Sequence, residues 1–172
     1  MKKVFYCLLF LGLGYINTYG QSGDFCNAVS VIMRDAPNKF RNIRGKLVDA
    51  NANATIWACG IQVPGTLKAR FVASMGLFYE GAFLQTQNKD DIKAIYQKYS
   101  SLLDTCLLSQ GYSKSLNENY YPGLADYRKV VYMLDAPDET MPAKVPPAHV
   151  TLEVTYNKDI GLYTVVLYIY EH

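Results

Sequence analysis

Between Lys89 and Leu107 the side chains of Ile92, Ile95, Tyr96, Tyr99, Leu102, Leu103, Cys106 and Leu107 recur every three or four residues, with Lys93, Gln97, Lys98 and Asp104 opposite. That is the helical period, and so wide an apolar stripe has to be buried against a second layer of structure. The segment carries its own boundaries. Asn88 precedes it as an N-terminal signal, Asp90 and Asp91 complement the positive end of the helix dipole, and Gly111 follows as a stop.

The flanking sequence supplies the layer. From Asp24, a plausible N-cap, Phe25, Ala28, Val29, Ile32, Met33 and Ala36 mark a first helix, which Pro37 ends, leaving 38–44 as a short helical or irregular continuation before Gly45. The period then changes to two. Thr55, Trp57, Cys59, Ile61 and Val63 fall on one side of an alternating segment, Pro64-Gly65 supplies the dihedrals of a type II turn, and Leu67, Ala69, Phe71 and Ala73 return against Lys68 and Arg70. A third strand is expected over 77–85. After the second helix, 112–123 reads as a polar loop, 126–134 as a strand and 135–147, with four prolines, as a long connection. Val150 to Tyr156 and Leu162 to Tyr170 form a last hairpin turning at 158–161, and its second strand, apolar on both faces, is expected at the centre of a sheet.

A chain of 172 residues that is half apolar suffices for one core and not two. The expectation is a single α+β domain over 21–172: an antiparallel sheet of about six strands, in the order helix, three strands, helix, three strands, with two helices packed on one face. This element order resembles that of the small α+β secretion chaperones and the YbjN-like proteins. The resemblance implies a sheet against which other molecules dock. The chain departs from the pattern in its N-terminal leader, in the strand at 126–134 and in having no helix after Tyr170.

Residues 1–20 pair Lys2 and Lys3 with an apolar run from Val4 to Leu13, too short to span a bilayer, which predicts a cleaved signal peptide and no membrane anchor. The segment resembles the leaders of exported Bacteroidota proteins, so the expected location is periplasmic or secreted. Cleavage removes two lysines, taking Lys plus Arg from 17 to 15 against 15 Asp plus Glu. A neutral mature chain without a basic run disfavours nucleic acid as a partner. Three cysteines remain. Cys26 with Cys106 is the favoured pair if a disulfide forms, and three buried thiols are the alternative.

No phosphate-binding, nucleophile-elbow or metalloprotease motif occurs, and neither a metal nor a cofactor is expected. His172 is terminal, the pairing of Cys59 with His149 places the thiol on an apolar strand face, and Asp90-Asp91 and Asp138-Glu139 have ordinary helix-start and loop explanations. Glu80 and Glu153 sit on strands, where a shared cavity would let them act as acid and base. Tyrosine is the unusual residue, 15 in all, and Tyr112, Tyr120 and Tyr121 share the polar loop. That loop is the candidate binding site. The function expected is therefore a non-catalytic binding module for a protein or glycan partner in the cell envelope, the alternative being an enclosed cavity for a small ligand or substrate. An apolar terminal strand at a sheet edge would also allow a homodimer.

Overall fold

The computed structural model describes residues 17–117, 129–134 and 148–171. Helix α1 spans Asn17–Asp35, and a single 3-10 turn, Ala36–Asn38, ends it at Pro37. Four strands follow: β1 Arg44–Ala50, β2 Thr55–Cys59, β3 Lys68–Ala73 and β4 Leu77–Thr86. Helix α2, Lys89–Leu107, then leads to β5 Tyr112–Asn117, β6 Lys129–Leu134, β7 His149–Asn157 and β8 Leu162–Tyr170. All eight strands join one antiparallel sheet in the order β1-β2-β3-β4-β8-β7-β6-β5. The topology thus repeats one arrangement, a helix and a four-stranded meander, twice about the central β4/β8 seam.

Among the described residues the sheet has eight strands where about six were expected, and the two extra ones share a cause. β1 is an edge strand whose residues from Gly45 onward are all exposed, so it shows no alternation and is held by its backbone ladder to β2. β5 is the opposite edge. Gly111, at φ 86°, reverses the chain after α2, and residues 112–117 pair with β6 from Tyr112 opposite Leu134 to Asn117 opposite Lys129. What reads as the start of a polar loop is a strand with one wet face. β8 lies between β4 and β7, as its two apolar faces imply, so it offers no free edge for dimerisation. The edges among the described strands are β1 and β5.

α1 also begins before Asp24, which lies inside the helix and does not cap it. Of the expected leader, residues 1–16 lie outside the described residues. Among the described residues no helix is long and apolar enough to cross a membrane.

α2 starts as its sequence predicts, with the Asn88 side chain accepting a 2.9 Å hydrogen bond from the Asp90 N–H. Its stripe buries Ile92, Tyr96, Tyr99, Leu103, Cys106 and Leu107 on the sheet face that α1 also covers. The centre of that layer is aromatic. Phe83 of β4 stacks on Tyr99 at 3.6 Å, and Phe25 of α1 closes over both. Such pairs contribute about 0.5–1.5 kcal/mol each beyond the area they bury. Phe40, fully buried against Phe71, is held in a left-handed conformation because Asp35 accepts hydrogen bonds from the Asn42 N–H and from the Asn38 and Asn42 amides.

Cys26 of α1 and Cys106 of α2 are bonded to each other, their Cα atoms 5.2 Å apart. A second tie joins α2 to the far sheet edge. Asp104 accepts from the Tyr132 hydroxyl at 2.7 Å and from Lys114 of β5 at 2.8 Å.

The turn after β2 is the one expected. Thr66 N–H donates to Val63 C=O across Pro64 and Gly65, and Gly65 adopts φ 90°. A Cβ there would be strained by that φ and would also collide with the hydroxyl of Tyr99, whose ring is fixed by Phe83. Gly65→Ala is therefore expected to destabilise the fold by about 2–3 kcal/mol, measured by equilibrium denaturation. An unchanged midpoint would show that the turn moves freely away from α2.

Candidate functional site

Strand alternation sends every second side chain away from the helices, and the cross-strand register assembles those side chains into rows. One row runs Arg70, Glu80, Tyr168, Thr151 across β3, β4, β8 and β7. The row on one side of it runs Val72, Phe78, Tyr170, His149, and the row on the other runs Lys68, Ala82, Val166, Glu153. Small side chains in this last row, between larger neighbours, make the floor of a groove.

A bulge in β4 supplies the far wall. Between Ala82 and Leu84 the register with β8 shifts, so that Phe83 and Leu84 both belong to the helix-covered core and Gln85 returns to the open face opposite Thr164. Without the bulge, Leu84 would point into the groove and Gln85 away from it. Thr155, paired with Thr164, continues this wall to the β7–β8 turn at Asn157, Lys158 and Asp159. The groove so formed has a volume of about 700 Å³ and is open to solvent.

Arg70 and Glu80 form the near wall as an ion pair. The guanidinium donates from Nε at 3.0 Å and from Nη2 at 2.7 Å, both to Oε1 of Glu80. Glu153 pairs with Lys129 at 3.3 Å. Between the two carboxylates stands Tyr168, whose hydroxyl is pushed well above its ordinary range, first by burial and then by the negative charges of Glu153 and Glu80, against which Arg70 acts. Tyr170 is shifted the same way for the same reasons. Both therefore present neutral, donating hydroxyls at any physiological pH.

Beside the groove the open face is aromatic. Phe78 lies 5.7 Å from Tyr168 and 5.3 Å from Tyr170, and His149 stacks on Tyr170 at 4.3 Å. All four side chains are half-buried.

The expected site residues fall as follows. Tyr112 does not belong to a surface loop: it opens β5, is 3% exposed within the core, and burial pushes its hydroxyl up to about 12. The reversal at Gly111 turns it straight under the sheet. Tyr120 and Tyr121 lie outside the described residues. Glu80 and Glu153 do share the open face, each held by a cation. Cys59 and His149 are kept apart, because Cys59 packs toward the core from β2 while His149 occupies the other face on β7, with three strands between them. Burial also pushes the Cys59 thiol up, and it donates to the Ile61 carbonyl. Among the described residues no three His, Cys, Asp or Glu side chains cluster as metal ligands.

The sequence reading missed Arg70, Gln85, Thr155, Thr164 and Tyr168 as groove residues. Alternation marks Arg70 as outward-facing, but neither the bulge nor the β4/β8 seam has a local signature. Compared with protein families, with curated proteins and with solved structures, the chain matches none.

Proposed function

We propose that the chain is an exported, non-catalytic binding module that engages a protein or glycan partner in the cell envelope through the sheet face that neither helix covers. The observation that carries this reading is the contiguous aromatic group Phe78, Tyr168, Tyr170 and His149 beside a polar groove. Aromatic plates with polar tips contribute large contact area at low entropic cost, which is why they concentrate at recognition surfaces. The carboxylates on this face are already paired with cations, an arrangement suited to recognition rather than to proton transfer. Tyr120 and Tyr121 remain, from sequence, a second contact region.

A small-molecule role is the second reading, and the groove favours it, since about 700 Å³ lies within the range of ligand sites. The test is a pull-down with the chain from Gln21 onward against an envelope fraction, repeated with Tyr168→Ala/Tyr170→Ala. Loss of the aromatic pair is expected to weaken a stoichiometric partner by about 2 kcal/mol or more. Undiminished binding by a folded double variant would remove this face from the proposal. A small molecule carried through native mass spectrometry, with no macromolecular partner, would transfer the role to the second reading.

A further inference from the structure

The groove and its ion pair carry the binding reading one step further, to a class of ligand. We infer that the groove is a saccharide subsite, selective for neutral sugars. This rests on the proposal that the open face is a binding face.

The strand under the centre of the groove, β8, is paired on both sides throughout, so an added peptide strand has no edge there. Recognition at the centre comes from side chains. Both donated hydrogen bonds of Arg70 converge on Oε1 of Glu80, which leaves Oε2 of Glu80 and Nη1 of Arg70 without a partner among the described residues. Both atoms keep hydrogen-bonding capacity, the carboxylate as acceptor and the guanidinium as donor, and sugar hydroxyls, which donate and accept alike, complement them.

The same pair disfavours ligands that carry charge. An anion has to compete with Glu80 for the guanidinium, and a cation has to compete with Arg70 for the carboxylate, and either exchange strips a partly buried charge of its partner. A neutral hydroxyl adds to the pair without breaking it. Lys68, Lys158 and Asp159 are exposed at the rim, where water screens them. The opposite wall offers only neutral donors and acceptors in Gln85, Thr155 and Thr164. Ala82 on the floor, with Tyr168 at the side, gives the apolar surface that the C–H face of a sugar ring needs.

The test is an NMR titration of the ¹⁵N-labelled protein with maltotriose, cellotriose and tri-N-acetylchitotriose, and with trigalacturonate as the charged counterpart. At least one neutral trisaccharide is expected to shift the amides of Arg70, Glu80, Gln85 and Thr164 saturably. Glu80→Gln should weaken that binding about tenfold. Thr164→Val, which keeps the side-chain shape, provides a second variant with an expected loss of several-fold if Glu80→Gln fails to fold. Absence of saturable shifts with every neutral probe, or shifts that both variants leave unchanged, overturns the sugar assignment. Tighter binding of trigalacturonate than of any neutral trisaccharide overturns the selectivity. If the sugars fail while an envelope protein perturbs the same amides, the binding face stands and the ligand class falls, and if neither perturbs them both fall.

Discussion

Reduction of the Cys26–Cys106 bridge is expected to lower the unfolding free energy by roughly 4–5 kcal/mol on the chain-entropy account of loop closure. The bond spans 80 residues of sequence and joins α1 to α2. Between its ends lie β1 to β4 and nearly all of α2, so cutting it frees the unfolded chain over almost half its length. In the folded state little changes, since the two helices still share one aromatic and aliphatic core. The effect therefore resides in the denatured ensemble. Guanidinium denaturation with and without reductant measures it, and the reduced chain should also show a steeper dependence on denaturant because its unfolded state is more expanded. A loss below about 1 kcal/mol would show that the reduced unfolded chain stays compact or that the bridge strains the fold. Natural domains have only about 5–15 kcal/mol to lose, so the oxidised form is the one expected to persist where the protein works.

Alkaline pH should unfold the protein more steeply than its composition suggests. Tyr79, Tyr96, Tyr112 and Tyr132 are each 8% exposed or less, and burial holds all four hydroxyls above their ordinary value of 10. Tyr132 has a further cause, because ionisation would cost the hydrogen bond it donates to Asp104. In the fold these groups keep protons that the unfolded chain releases above pH 10. Native protein thus binds more protons than unfolded protein, and stability falls as pH rises. The contribution is complete below about pH 10 and drains above it at about 1.4 kcal/mol per pH unit for each tyrosine, or roughly 5 kcal/mol per unit for the four. Circular dichroism and tyrosinate absorbance, followed together, check it. The two should change in one cooperative step for the buried rings. Tyrosinate forming well before the loss of structure would mean that these hydroxyls reach water in the native state.

The elements legible in the sequence are those whose burial pattern is local. Helix α2 was legible to its cap because an amphipathic stripe and an Asn-Lys-Asp-Asp start are written in consecutive residues. The central place of β8 was legible because a strand covered on both faces has to be apolar on both. β1 and β5 were not, since an edge strand with a wet face has the composition of a loop. Tyr112 was misjudged for the same reason, as its polar neighbours describe the outer face of β5 while its own side chain points into the core.

The sequence by itself determined the class of the fold, its two helices and the hairpins joined by Pro64-Gly65 and by the turn at Gly161. Those follow from periods and turn residues within a few positions of one another. Only the tertiary structure decided that the two meanders meet at β4 and β8, and this single non-local pairing sets Arg70 and Glu80 beside Tyr168 and, through the bulge after Ala82, turns Gln85 toward Thr164. Residues some ninety positions apart become neighbours there because two interior strands satisfy each other's backbone groups and share one buried face. No short-range pattern encodes that choice.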